Sequence, residues 1–166
     1  MKISSPSDPT IYLKDRKINA DDELIEQYST PYGIRSLELR GSKRFFLNAK
    51  SIKFKGLSNH HDAGAVGAAV PDDILYKRLK MIKDMGGNAL RTTHNPFSPT
   101  FYNMCDSLGI MVMNEAFDGW WKTKAEFDYG LYFDQWWKRD LGDFIKRDRN
   151  HPSVVIWSIG NEIHGF

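Results

Sequence analysis

An α/β fold of parallel strand–helix units, entered through a short run of antiparallel strands, is what this 166-residue sequence predicts. Three observations lead there. Beyond residue 53, short apolar runs alternate with segments of helical periodicity, the order that produces a parallel sheet with crossover helices. Before residue 50 the chain is more polar, and its apolar side chains recur at about every second position, as in strands with one wet face. Finally, 41% apolar and 27% charged content belongs to a folded globular chain rather than a disordered or fibrous one.

Residues 23–28 and 34–40 read as strands, punctuated by Pro31-Tyr32-Gly33 and Arg40-Gly41-Ser42-Lys43 as turns. Residues 45–50 and 51–55 read as a hairpin whose tip is Asn48-Ala49. A β-sandwich takes about seven strands and roughly 100 residues, so only the last strands of one fit before residue 45. The α/β part opens with a strand at 54–58. Pro71-Asp72-Asp73 starts a helix with Leu75, Leu79, Ile82 and Met85 along one stripe, and Gly86-Gly87 ends it. A second strand at 88–93 leads to Ser98, an N-cap followed by Pro99 in the first turn. The helix so begun buries Phe101, Met104, Cys105 and Leu108 and stops at Gly109. Residues 110–113 are apolar throughout, as a strand covered on both faces must be. After an aromatic loop over 117–133, Asp134 caps a third helix carrying Trp137, Leu141, Phe144 and Ile145, with Trp136 and Trp137 read as helix core. Residues 154–157 make a fourth buried strand.

Four buried strands with three helices between them form either a small doubly wound sheet or half of a (β/α)8 barrel, since a complete barrel takes at least about 200 residues. With 23 basic and 21 acidic side chains the net charge is +2, which gives no electrostatic case for a nucleic-acid partner. No run approaches the ~18 apolar residues of a membrane helix, and residues 1–10 lack an apolar signal core. The chain therefore reads as neither membrane-spanning nor secreted. Cys105 is the single cysteine and can neither close a disulfide within the chain nor hold a metal alone. The 10 Phe, 7 Tyr and 5 Trp exceed the needs of a small core and point to a flat-faced ligand such as a carbohydrate.

Ligands of parallel α/β folds meet the carboxyl ends of the strands. Those positions hold Asn59-His60-His61-Asp62, Arg91 with His94-Asn95-Pro96, Asn114-Glu115 with Asp118, and Gly160-Asn161-Glu162. Singly, each has an ordinary role open to it: Arg91 pairing with a buried carboxylate, His94 capping a turn, Glu162 lying exposed in a loop. Together, at equivalent positions, they favour a site. A glutamate beside an amide at the mouth of a barrel suits a general acid, and Asn161 can donate a hydrogen bond to a sugar hydroxyl.

Residues 147–162 (RDRNHPSVVIWSIGNE), 88–99 (NALRTTHNPFSP) and 102–115 (YNMCDSLGIMVMNE), together with 32–35, Phe46-Leu47-Asn48 and Phe54-Lys55-Gly56, resemble glycoside hydrolase family 2. Within it, Asn59-His60-His61-Asp62 followed by residues 64–69 is most similar to bacterial β-galactosidases. The resemblance implies a partial (β/α)8 TIM barrel, about its first four strands, over 45–166. It implies the last strands of an immunoglobulin-like β-sandwich domain over 1–44. The activity implied is that of a retaining β-glycosidase, most directly a β-galactosidase. Glu162 resembles the catalytic acid/base, Asn161 the amide that holds the sugar 2-hydroxyl, and Arg91 the arginine lying under the nucleophile. His60 and His94 resemble sugar-contacting histidines, and Asp118 joins them as a substrate-binding candidate.

Retaining hydrolysis needs two carboxyl groups about 5 Å apart, one attacking the anomeric carbon and one protonating the leaving oxygen. The family's nucleophile lies on a later strand, so this chain is expected to carry the acid/base without it and to be inactive alone. Glu115 resembles a supporting carboxylate rather than a replacement. The loop Ala116-Phe117-Asp118-Gly119 lacks the glutamate and histidine that hold a divalent metal in some β-galactosidases, and no cofactor is expected. The expected partner is a β-galactoside or related oligosaccharide, with neither nucleic acid nor membrane, and unpaired edges at the first and fourth strands predict self-association. Two other readings stand beside this one. The chain is a β-glucuronidase or β-mannosidase of the same family, or a carbohydrate-binding module without turnover that stacks sugars on Trp120, Trp121, Tyr129, Tyr132 and Trp157.

Overall fold

The computed structural model describes residues 4–41 and 44–163; Ser42 and Lys43 of the expected turn lie outside the described residues. β1 (Tyr12–Ala20) and β2 (Glu23–Tyr32) pair as an antiparallel ribbon. The connecting residues Asp21 and Asp22 both adopt positive φ, at 50° and 63°, the backbone that tight hairpin turns require. Contrary to expectation, the ribbon has no wet and dry face: Leu13, Leu24 and Ile25 are all exposed. β3 (Leu37–Arg40), β4 (Arg44–Leu47) and β5 (Lys50–Ile52) form a second antiparallel sheet. Its hairpin turns at Asn48-Ala49, as the sequence predicts, with φ of 53° and 62°.

β6 (Gly56–Asn59), β7 (Ala89–Thr92), β8 (Met111–Glu115) and β9 (Val154–Ser158) make one parallel sheet in that spatial order. Between them run α1 (Asp72–Asp84), α2 (Pro99–Leu108) and α3 (Phe133–Asp148). The core joins Leu75, Leu79 and Ile82 of α1 and Phe101 and Cys105 of α2 to Leu90, Val112 and Val154 of the sheet. Each fully buried side chain of this size contributes about 1.5–3 kcal/mol. Burial also pushes the Cys105 thiol up, so it stays protonated and inert. Phe45 and Leu47 of β4 pack on Ala89, Met111 and Val155. Because these residues open β7, β8 and β9, the three-stranded sheet covers the amino ends of the parallel strands and leaves the carboxyl ends free.

α2 ends as expected at Gly109, whose φ is 65°. A Cβ there would stand 2.3 Å from the main-chain oxygen of Pro6, so both conformation and close approach call for glycine. Several burial expectations need correction. Met85 follows the last residue of α1 and is exposed, because the chain turns away at Gly86 (φ 83°). On α3 the buried apolar residues are Phe133 and Phe144, whereas Trp137 is 41% exposed. Trp136 is half-buried under the Arg139 guanidinium, so neither tryptophan is helix core. Trp157 packs edge-on against Phe144 but remains partly exposed, since β9 ends the sheet. Among the described residues, no helix is long and apolar enough to cross a membrane.

Candidate active site

Each of the last three parallel strands delivers a polar side chain at its carboxyl end. Arg91 of β7 grips Glu115, the last residue of β8: Nε donates to Oε2 and a terminal nitrogen to Oε1, both at 2.9 Å. This is the bidentate fork in which a guanidinium matches a carboxylate. Ser158, which ends β9, donates its hydroxyl to Oε2 at 2.7 Å, and His94 Nδ1 lies 2.8 Å from Oε1. With Glu115 already accepting from Arg91 and Ser158, donation from His94 Nδ1 is the tautomer that fits this contact. The Glu115 side chain is 0% exposed, and four donors on its two oxygens use its acceptor capacity.

A second buried layer supports the first. Thr92 Oγ1 accepts from the Glu115 main-chain N–H at 2.9 Å. Neighbouring Asn114 donates to Asp148 Oδ2 at 2.9 Å and accepts from the Tyr102 hydroxyl at 2.7 Å. Asp148, also fully buried, takes a fork from Arg147 at 2.6 and 2.7 Å. The strand end is thereby tied to α2 and α3 by groups that are paired throughout, as a dry interior demands.

Outward from Glu115 the network continues toward solvent. The Arg91 guanidinium also donates to Asn161 Oδ1 at 3.0 Å, and Asn161 Nδ2 donates to Asp118 Oδ1 at 3.1 Å. Lys124, in the loop between β8 and α3, donates to Asp118 Oδ1 at 3.0 Å and reaches Glu162 Oε2 at 3.4 Å. Two further bonds tie this loop to the turn after β9: Trp120 Nε1 donates to the Ile159 carbonyl at 2.8 Å, and Asn161 N to the Phe117 carbonyl at 3.2 Å. Gly160 is needed here, because a Cβ would come within 2.8 Å of the Trp120 indole nitrogen. The Glu162 side chain is 68% exposed, on a backbone with φ of 47° that few non-glycine residues adopt.

Five of the sequence-predicted residues, Arg91, His94, Asp118, Asn161 and Glu162, thus belong to one connected cluster. His60 joins it only through its ring, edge-on to His94 with centroids 5.4 Å apart. Arg78 of α1 holds that loop by donating to the His60 and Asp62 carbonyls at 3.1 and 2.7 Å. Ser158 and Lys124 were not anticipated. Neither stands in a periodic pattern, and Lys124 shares its loop with a second lysine, Lys122. Among the described residues, no group of three or more His, Cys, Asp or Glu side chains is placed to share a metal ion.

Burial pushes the Asp118 carboxyl up, but the Lys124 ammonium and the Asn161 amide outweigh it and hold Asp118 below its ordinary value of 3.8. A depressed carboxylate contributes stability at pH above its unfolded value and loses it as pH falls through the folded one. Acidification from pH ~5 to ~2 is therefore expected to loosen the loop from the turn after β9 while the core stays folded. Amide hydrogen exchange reads this: faster exchange in residues 118–131 before that in β8 is the expected result, and simultaneous loss of both would reject it.

A saturated buried carboxylate, surrounded by an arginine, an amide, a histidine and exposed acids at parallel strand ends, makes the carboxyl face of this α/β sheet the candidate site. The model of the TIM barrel domain of the glycosyl hydrolases family 2 matches residues 37–165, and the chain belongs to that family. A β-galactosidase of Bacteroides ovatus is 46% identical over 155 residues, 93% of this chain and 18% of that protein. A β-glucuronidase of Streptococcus agalactiae is 31% identical over 163 residues, 92% of this chain and 27% of that protein. The crystal structure of a β-glycosidase from Bacteroides vulgatus superposes with a TM-score of 0.94 at 55% identity, covering 99% of this chain and 21% of the other. The chain thus spans about a fifth to a quarter of the length of these relatives.

Proposed function

We propose that this chain carries the acid/base half of a retaining β-glycosidase site directed at β-galactosides. In this reading residues 45–166 are the N-terminal half of the catalytic barrel and residues 1–44 the tail of a β-sandwich. The observation that carries it is the single network in which Glu162, Asn161, Asp118, His94 and Arg91 gather around Glu115. Glu162, the exposed acid of the cluster, protonates the leaving oxygen and later activates water. Asn161 holds the sugar 2-hydroxyl, His60, His94 and Asp118 line the sugar, and Arg91 organises the floor. Neither neighbouring carboxylate suits the attacking role. Glu115 is saturated and buried, and Asp118 Oδ1 is engaged by Lys124 and Asn161. The nucleophile is therefore expected from outside residues 1–166.

Preference for galactosides rests on the 46% identical β-galactosidase, and a putative β-glucuronidase of Formosa agariphila, 43% identical over 164 residues, names the competing sugar. Titration calorimetry of the chain with galactose and with glucuronate separates them. The expected result is galactose binding with Kd of about 1 mM or weaker, lost in Asn161→Ala. Binding of glucuronate alone redirects the specificity, and binding of neither rejects the reading. The exposed rings of Trp121 and Tyr132 favour the second reading, a binding module. Affinity that falls with Trp121→Ala but not with Asn161→Ala supports that alternative.

Self-association belongs to the same proposal. β6 and β9 terminate the parallel sheet, and Phe54 and Leu57 leave apolar surface beside the first of these edges. Light scattering is expected to give a mass above that of one chain, and a monomer with cooperative melting rejects the open-edge account.

A further inference from the structure

Four oxygen atoms from three residues converge on one ammonium beside Glu162. Lys124 Nζ lies 2.7 Å from the Asp118 carbonyl oxygen, 3.0 Å from Asp118 Oδ1, 3.2 Å from the Asn161 carbonyl oxygen and 3.4 Å from Glu162 Oε2. An ammonium has three protons, so four acceptors are more than it can satisfy singly. Two carboxylate and two carbonyl oxygens are instead the donor set of a hard divalent ion, which draws such oxygens in to about 2.0–2.6 Å. The base of the lysine is fixed independently: Asp128 accepts from the main-chain N–H groups of Lys124, Ala125 and Gly130. The residues do not fit a resident metal, because the centre of the donor set is already taken by the chain's own cation.

We propose that Lys124 is a built-in cation: its ammonium fills an oxygen cage that would otherwise accept a Mg²⁺- or Mn²⁺-class ion, and from there it positions Glu162 and the Asn161–Glu162 turn against Asp118. The consequence for the acid/base rests on the function proposed above; the cage itself does not. A tethered ammonium cannot dissociate, so the geometry around Glu162 is independent of divalent ions and indifferent to chelators. Without the lysine, two carboxylates face each other uncompensated, and their combined charge attracts a free cation.

Electron paramagnetic resonance with Mn²⁺ as the probe tests this on the 166-residue chain. Lys124→Ala is expected to bind one Mn²⁺ at least about tenfold more tightly than the parent chain, and adding Asp118→Asn is expected to abolish that site. Amide exchange at Asn161, whose N–H is bonded to the Phe117 carbonyl, should quicken in Lys124→Ala, recover on adding Mn²⁺, and stay slow in Lys124→Arg. Equal Mn²⁺ affinity with and without the lysine, or no site in a folded Lys124→Ala, overturns the proposal. If Lys124→Ala fails to fold, Lys124→Met decides, since it keeps the stem and removes the charge. Quickened exchange there supports the proposal, and unchanged protection overturns it. Failure of the glycosidase reading would appear in hydrolysis assays and leave these ion and exchange results untouched.

Discussion

Replacing Glu162 by glutamine is expected to lower kcat about 10²–10⁴-fold for aryl β-galactosides with poor leaving groups. The measurement uses a protein that joins residues 1–166 to the barrel half supplying the second carboxylate. The amide cannot give a proton, so the phenol must depart as its anion. A dinitrophenolate leaves without that help, and its release should slow little in the variant. Hydrolysis of the glycosyl-enzyme loses its general base at the same time, and a small anion such as azide, which needs no deprotonation, should restore turnover on the activated substrate. The Glu162 side chain is mostly exposed and meets the Lys124 ammonium at 3.4 Å, so the fold should survive the change. A loss in kcat/KM, which reads the glycosylation step, that is the same for good and poor leaving groups would contradict the proton-donor role.

Arg91→Leu is expected to cost about 3–5 kcal/mol of stability, which lowers Tm by ~6–20 °C in a chain of this length. The large value follows from which partner is left behind. Glu115 is wholly buried, and without the guanidinium its charge keeps only the Ser158 hydroxyl and the His94 ring. Arg91→Lys should fall between, because lysine retains the charge but not the planar fork. Arg139 offers the contrast: it lies 3.8 Å from Asp143 with both side chains mostly exposed, and its replacement should cost under about 1 kcal/mol. Chemical denaturation of the three variants reads the difference. Similar losses for Arg91→Leu and Arg139→Leu would mean that the Glu115 cluster does not hold the sheet.

The parallel strands, α1 and α2 were legible because each is announced locally, by an apolar run, by Ser98-Pro99 at a helix start, or by Gly109 at a helix stop. β1 was not, since Lys14, Asp15, Arg16 and Lys17 interrupt any alternation, and the strand is set by pairing with β2. Burial was misread where spacing alone was used: Met85 lies past its helix end, and Trp137 stacks on Phe133 at 6.3 Å while keeping one face open. Site residues at strand ends were legible because the end of a parallel strand is a functional position whatever the loop does. Lys124 was illegible for the converse reason. Its partners lie 6, 37 and 38 positions away, and only the folded loop brings them together. Asn114 and Asp148, 34 positions apart, meet by the same kind of long-range packing.

The proposed function divides the labour, with the proton donor and sugar contacts on this chain and the attacking carboxylate elsewhere. A 2-deoxy-2-fluoro-β-galactosyl fluoride tests it most directly, because the electronegative fluorine slows hydrolysis and leaves the nucleophile covalently marked for mass spectrometry. Residues 1–166 alone are expected to gain no glycosyl group, while the completed barrel gains one on a carboxylate outside them. A label on Glu115 or Asp118 would contradict it.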